Sequence, residues 1–349
     1  MHELEIASYD AGRHWLVGPS SYLVDSALDA CEEILLPTAK TTNGHLQFHV
    51  TKEKIISKSE DMGRVGAYFE HILHILNFNK VESIQSKLVL DLRLKSPTNW
   101  AHAFTNHLPL ALYIRRKISI ENPENILIIF PKNISTKIVD LFEASGFNVI
   151  ASNKHVFGKK ICFKLKPWIS IRGLRHQMVR EGLASTELYS KVISTKSISI
   201  DKIFISRKDT RKLVNESEIS RFLQDKGYTI IYLEDYTLFE QIALLSYAKK
   251  IVAIHGAGLG PLLLRSVFNH EKFDLVELFT PAHVTDCFRV MAIQLGGNWS
   301  GVRGRSWPNL MKLAYRGNVK KFAMNDFFID IKSLKIALGL VNNKTNGQD

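Results

Sequence analysis

Between Asp201 and Phe279 short apolar runs alternate with stretches of helical period, and this rhythm constrains the fold more than any other feature of the chain. Lys202–Ile205, Tyr228–Leu233, Ile251–Ile254 and Phe273–Phe279 read as strands. The stretches between the first three carry apolar residues at helical spacing: Ile219, Phe222 and Leu223 in one, Ile242, Ala243 and Leu245 in the other. The alternation predicts βαβ units, hence an α/β fold with a parallel sheet covered by helices. The helix boundaries are also written in the residues. Asn215 with Glu218, and Thr237 with Glu240, have the spacing of capping boxes, and Gly227 stands where a left-handed C′ glycine ends a helix.

The third of these strands runs directly into His255-Gly256-Ala257-Gly258-Leu259-Gly260. Glycines leaving a buried strand allow a tight turn and a close approach of backbone to a ligand. A helix starting near Leu259 would aim free N–H groups at the same place, which favours an anion. The plainer alternative is a glycine-rich turn without a ligand.

At 349 residues the chain exceeds the usual size of one hydrophobic core, so two domains are expected. A hydrophobic fraction of 45% with 23% charged residues describes a folded globular protein and excludes a disordered one. The net charge of +12 calls for anionic partners without choosing among nucleic acid, phosphate-bearing ligands and an acidic membrane surface. Cys31, Cys162 and Cys287 form no metal-binding spacing and no disulfide framework, as suits a reducing compartment. No apolar run is long enough to span a membrane, and the opening residues lack the basic and apolar regions of a signal peptide, so a cytoplasmic location is expected.

Residues 1–60 read as strands and turns of an α+β front piece, through HWLVG, EEILLP, LQFHV and TKEKIIS. A helix is expected over 66–77; its His71 and His74 have no third ligand spaced for a metal. Lys87–Leu92 is a predicted strand. In the helix that follows, Asn99, His102 and Asn106 stand at spacings of three and four, the spacing of one helix face, and Pro109 after His107 must kink or break the helix. Polar residues just past a strand suit the ligand crevice of an open α/β sheet; the alternative is a solvated face. A second βαβ unit follows, with strands at 125–130 and 147–151 around a helix at 134–145.

Lys154 to Arg180 holds eight basic residues in 27 and no acidic one, including Lys159, Lys160, Lys164 and Lys166. This tract reads as a solvated connector holding the domain boundary, with Gly173 or Gly182 near the hinge; the alternatives are a patch facing a membrane or an acceptor, and a nucleic-acid track. Beyond Phe279 a helix is expected over 284–295, a loop over 300–309 and an amphipathic helix over 322–340. The predicted domains are 1–175, 176–320 and a terminal segment 321–349. The chain contains no P-loop, no Gly-x-Gly-x-x-Gly in its first βα turn and no Gly-x-Ser-x-Gly elbow, which argues against ATPase, dinucleotide oxidoreductase and serine hydrolase chemistry.

Ser206, Arg207, Arg211, Asn215, Glu216, Phe239, Glu240, Gln241, then His255 to Leu259, then Glu277, in this order, resemble glycosyltransferase family 61. Asn99-Trp100-Ala101-His102 with Leu108-Pro109 is similar to that family's Asn-x-x-His…Leu-Pro segment. The resemblance implies a GT-B type fold of two Rossmann-like domains facing across a cleft. It also implies inverting transfer from a nucleotide sugar, UDP-sugar above all, without an obligatory metal or other cofactor. It places the donor site in the C-terminal domain and packs the last helix back on the N-terminal one. The acceptor expected is a glycan or lipid-linked glycan. Lack of the N-terminal anchor carried by animal and plant members points to a bacterial enzyme of capsule or lipopolysaccharide synthesis, with contact to an anionic membrane and none to nucleic acid. Gly260-Pro261 departs from the usual continuation of the motif, and an inactive relative or a non-enzymatic module for nucleic acid or acidic polymer are the alternatives.

Residue chemistry and resemblance together define the candidate site. Arg207 and Arg211 are expected on the donor diphosphate, since guanidinium groups pair with phosphate oxygens. His255, Gly256, Ala257, Gly258 and Leu259 are expected around the donor, with Glu277 accepting from the ribose. His102 is the expected general base, an imidazole being largely unprotonated near neutral pH. Asp91 and Glu70 are its rivals, and Asn99, Asn106 and His107 line the acceptor side.

Overall fold

The computed structural model describes residues 9–10, 14–19, 31–36, 40–41, 48–56, 82–93, 96–121, 126–163, 172–305 and 322–342. The expected helix at 66–77 with Glu70, His71 and His74, and Lys164, Lys166 and Trp168 of the basic tract, lie outside them. Two compact units divide the chain at Ile193/Ser194, and the segment Tyr9–Thr41 belongs to the second. The front piece is therefore shared between the units: β1 (Tyr9–Asp10), β2 (His14–Pro19), β3 (Cys31–Leu36) and β4 (Lys40–Thr41) go with the later half of the chain.

The first unit holds β5 (Phe48–Ile56), β6 (Glu82–Asp91), β7 (Ile126–Phe130), β8 (Asn148–Ala151) and β9 (Val156–Phe163) in one sheet, ordered β5-β9-β6-β7-β8. β6, β7 and β8 are parallel neighbours. The five residues of β7, ILIIF, are all buried, the signature of a strand covered on both faces. β9 corrects the expected connector: the basic tract contributes an internal strand, and Lys160 within it is only 6% exposed. The Lys159-Lys160 pair hides the β-forming run of Val156, Phe157, Ile161 and Phe163 around it.

Helix α1 spans Trp100 to Glu121 and contains a π-helical turn at Ala103–His107, in which the Leu108 N–H bonds the Ala103 carbonyl. Pro109 has no N–H to give, and the wider turn absorbs that loss without ending the helix. α2 (Thr136–Ala144), α3 (Arg175–Leu183) and α4 (Glu187–Ser194) complete the unit. Gly182 is no hinge. It lies inside α3, where a Cβ would meet Leu112 of α1 at 2.9–3.1 Å, so glycine is what lets the two helices close. Arg115 of α1 ties the ends of its neighbours together, donating to the carbonyls of Ser145 (2.7 Å) and Gly182 (2.9 Å).

The second unit adds β10 (Lys202–Ser206), β11 (Thr229–Tyr232), β12 (Lys250–Ile254), β13 (Asp274–Phe279) and β14 (Asn298–Arg303) to the early strands, in the order β11-β10-β12-β13-β14-β2-β3. All neighbours from β11 to β2 are parallel, and β3 is antiparallel at the edge. The four strands expected over 202–279 are all present. β14 corrects part of the loop expected over 300–309.

The helices of this unit are α5 (Glu216–Gln224), α6 (Leu238–Tyr247), the short α7 (Arg265–Phe268), α8 (Cys287–Gln294) and α9 (Ile331–Asn342). Thr237 and Glu240 make both bonds of the capping box on α6. Asn215 stands at the N-cap of α5 but spends its amide elsewhere, donating to Glu218 Oε2 and to the Ile329 carbonyl, each at 2.8 Å. α9 packs on β13, β14 and β2 of its own unit, where the family pattern placed the last helix on the N-terminal domain. The reason is its apolar stripe: Leu334, Ala337, Leu338 and Val341 share one core with Phe204, Val252, Val276 and Val302. Two open, helix-flanked α/β sheets, one per unit, accord with the two Rossmann-like halves of the GT-B architecture.

Candidate functional site

The order of the second sheet reverses between β10 and β12: α5 carries the chain from β10 outward to β11, and α6 returns it to the other side of β10. Ligands of open α/β sheets bind beyond the carboxyl ends of the strands at such a switch point. Arg207 follows β10 and His255-Gly256 follows β12, so both expected donor segments meet there.

Gly256 is extended (φ 171°), so the turn needs no left-handed residue. What it needs is space: a Cβ at this position would run into the guanidinium of Arg207, whose Cζ is 3.2 Å from it, with Arg211 Nη1 at 3.8 Å. The two arginines thus converge on bare backbone. Arg211 donates to the His255 carbonyl at 2.9 Å, while the Nε atoms of both arginines are buried without a hydrogen-bond partner. Burial, and then the neighbouring charge of Arg207, lower the Arg211 pKa from its usual range. Arg211 also holds a left-handed backbone (φ 61°), a conformation worth about 1–3 kcal/mol of strain in a non-glycine residue.

That strained loop is held by a segment that sequence reasoning missed. Arg211 N–H donates to the Met324 carbonyl (3.2 Å), Lys212 N–H to Asp326 Oδ1 (2.9 Å) and Val214 N–H to the Phe327 carbonyl (2.8 Å). Residues 322–330, expected to begin a helix, instead form a strap across the 211–215 loop. The carboxylates that could have neutralised Arg207 are engaged elsewhere: Glu216 accepts from Ser206 Oγ and Tyr232 Oη, and Glu240 closes the cap on α6. None of the described carboxylates forms an ion pair with Arg207.

Beyond the turn the chain enters a 3-10 helix, Ala257–Leu264, a tighter helix than the one expected. Its first bond runs from the Leu259 N–H to the Gly256 carbonyl, so Ala257 and Gly258 carry the N–H groups that precede it. Leu259 itself is buried and already bonded, and braces the turn from within.

His255 Nδ1 lies 2.5 Å from Glu277 Oε1, and Glu277 Oε2 accepts from Trp299 Nε1 at 3.0 Å. Glu277 is fully buried and both its oxygens are occupied, so it backs His255 and does not present a free acceptor to a ribose. An ionised Glu277 makes Nδ1 the donor and leaves Nε2 as the second bonding atom of the ring. Phe279 stacks on the imidazole at 5.0 Å and 27°. Trp299 was not foreseen: it lies on β14, one strand from Glu277, in a run whose Ser300 and Gly301 break the apolar pattern of a buried strand.

In the first unit, Asn99 caps the start of α1, its side chain accepting from the His102 N–H at 3.1 Å. His102 is half-buried, and that burial lowers its pKa. Its ring lies 6.4 Å from the ring of His107, which is fully buried in the π turn. Asn106 remains partly exposed on the same turn. Asp91 sits at the end of β6 but is committed: Arg93 holds it through Nε–Oδ1 (2.9 Å) and Nη2–Oδ2 (2.8 Å), and Arg93 also donates to the Lys154 carbonyl at 2.6 Å. Both carboxylate oxygens of Asp91 are thus taken up by one buried guanidinium. Among the described residues no cluster of His, Cys, Asp and Glu is arranged to hold a metal ion. No helix among them is long and apolar enough to cross a membrane.

The family model described as Glycosyltransferase 61 matches residues 100–268, a stretch that includes His102, Arg207, Arg211 and the His255 turn. No curated protein matches the chain.

Proposed function

From the glycosyltransferase 61 match, which supports a glycosyltransferase role, we infer that this chain transfers a sugar from a nucleotide sugar to a glycan or lipid-linked glycan, with inversion and without a metal. The observation that carries the reading is the convergence of Arg207 and Arg211, without carboxylate partners, on a glycine that leaves room for their guanidinium groups. Two desolvated like charges side by side are costly until an anion joins them, and a diphosphate offers each a pair of oxygens. With Ala257 and Gly258 N–H groups beside them, they supply the charge stabilisation that a metal gives in other transferases. His255, steadied by Glu277, contacts the donor sugar or phosphate.

His102 is the base. The acceptor hydroxyl gives its proton to the imidazole, its oxygen bonds to the anomeric carbon, and the bond from that carbon to the diphosphate breaks. Burial favours the neutral ring, as this role requires. Asn99, Asn106 and His107 are assigned to the acceptor side. UDP-sugar is the donor we favour, and bacterial capsule or lipopolysaccharide synthesis in the cytoplasm, at an anionic membrane surface, is the setting.

The test is a panel of UDP-, GDP- and CMP-sugars, scored by release of nucleoside diphosphate (or of CMP) and by thermal protection, beside oligonucleotide binding at physiological salt. Turnover of one nucleotide sugar supports the reading. Protection without turnover indicates an inactive relative, and oligonucleotide binding without either indicates a non-enzymatic module.

A further inference from the structure

The amino-terminal edge of the second sheet carries its own concentration of charge. Lys202 opens β10 and Lys250 opens β12, and the two are register partners; Asp274, which opens β13, is the partner of Lys250. Tyr228 directly precedes β11. Parallel partners project to the same face, so this row lies on the face covered by α5 and α9, whereas Glu277, three residues along β13 from Asp274, projects to the opposite face. Lys202 and Ser206, at the two ends of β10, are roughly 13 Å apart at ~3.3 Å per residue, too far for one diphosphate to reach from this row to Arg207.

A cavity of about 420 Å³ opens over the row, and Lys202, Lys226, Lys250, Lys335, Tyr228 and Gly339 line it, with no carboxylate among the lining residues. Lys202 Nζ donates to the Lys226 carbonyl at 3.0 Å, which fixes it against the end of α5. Lys226 Nζ and Lys335 Nζ stand 5.2 and 5.5 Å from the centre of one ring, that of Phe222, so a single aromatic gathers two ammonium groups. Lys250 interacts with the buried Asp274, which does not line the cavity and also accepts from Asn298 Nδ2 at 2.9 Å.

Two further features leave the cavity open and polar. Gly339 lies inside α9, where glycine costs about 1 kcal/mol relative to alanine. A Cβ there would meet nothing within 4 Å, so packing does not demand the glycine, and its effect is to leave the mouth of the cavity unfilled. Tyr228 has its pKa pushed up to about 12, by burial and then by Asp274, so its hydroxyl stays protonated and can donate.

We propose that this cavity is a second anion site, separate from the Arg207–Arg211 turn, for a compact multivalent phosphate: pyrophosphate or a phosphomonoester group. Four ammonium groups approach it from different elements as point charges, an arrangement that suits a polyanion with oxygens on all sides. No bidentate fork of the kind Arg207 presents is available here.

Calorimetry with inorganic pyrophosphate, on the full chain at about 0.15 M salt, tests the site. An Arg207→Ala/Arg211→Ala background removes the contribution of the other end of the sheet. In that background pyrophosphate should still bind, and Lys226→Glu/Lys335→Glu should weaken it at least tenfold. Gly339→Glu, which leaves every lysine in place, should weaken it independently. Circular dichroism confirms that each variant folds. No pyrophosphate binding in the arginine background, or equal affinity after both pocket changes, overturns the proposal. Sedimentation with phosphatidic acid vesicles, compared with phosphatidylcholine, identifies the source. Lysine-dependent sedimentation supports the site and places the phosphate on a lipid; pyrophosphate binding without sedimentation supports it and places the phosphate on a soluble ligand.

Discussion

The two units treat their buried cations in opposite ways. In the first, burial drives imidazoles toward neutrality: the His102 pKa is lowered, and that of His176 on α3 falls to about 4, by burial and then by the charges of Arg180 and Arg175. In the second, burial and the neighbouring Arg207 charge lower the Arg211 pKa, yet a guanidinium starts so far above neutral pH that Arg211 stays a cation beside the bare glycine turn. Desolvation thus yields a proton acceptor where the side chain is histidine and a waiting anion site where it is arginine. On the function proposed above, this contrast would divide a transfer reaction into a base and a leaving-group clamp.

The largest effect that would sharpen the contrast concerns stability. The folded-state pKa of His176 lies below that of an unfolded histidine, so the native chain takes up this proton only below about pH 4. Its contribution is full above pH 6.5 and is lost as pH falls toward 4, by roughly 3 kcal/mol at most. Urea unfolding at pH 7 and pH 4.5 should show that loss, and His176→Gln should reduce it; an unchanged pH slope in the variant would break the first half of the comparison.

Next comes turnover. His102→Ala should lower kcat by roughly 10²-fold, or about 2.7 kcal/mol, while donor affinity stays within a few-fold. The acid limb of the wild-type pH–rate profile should fall below about 6.5 because the free ring is depressed. Near wild-type transfer by a folded His102→Ala variant would remove the base assignment and send attention to Glu70, Asp91 being occupied by Arg93. A smaller effect is expected from Gly256→Ala, whose added methyl must push the Arg207 guanidinium aside. UDP affinity should drop several-fold in that variant with little change in Tm; full affinity would mean that the close approach of Arg207 is incidental.

Much of the second unit was legible before its structure. Its parallel strands are short runs of β-branched residues, its glycine turn interrupts one of them abruptly, and the Thr237–Glu240 cap is a local, two-sided bond. The Asn215–Glu218 spacing shows the limit of such signals, since the Asn215 amide is drawn to the distant Ile329 carbonyl and makes no cap bond. What stayed hidden depends on distant partners. Nothing in residues 322–330 announces a strap on the Arg211 loop, since the bonds join main-chain N–H groups to two carbonyls and one carboxylate more than a hundred residues away in sequence. β9 was concealed because Lys159 and Lys160 interrupt its apolar pattern, although one of them is buried in the sheet. Trp299 carried no signal of a role, because only the register of β14 against β13 shows that its indole reaches Glu277. Pro109 did announce a disturbance in α1, but whether a proline breaks a helix or widens one turn is settled by packing around it.

The central claim is that Arg207 and Arg211 hold a nucleoside diphosphate at the Gly256 turn, and calorimetric titration of UDP tests it most directly. Arg207→Ala should weaken UDP binding at least about tenfold, or roughly 1.4 kcal/mol, whereas Lys226→Glu/Lys335→Glu, at the other end of the sheet, should leave it unchanged. Equal UDP affinity in wild type and a folded Arg207→Ala variant would contradict the account.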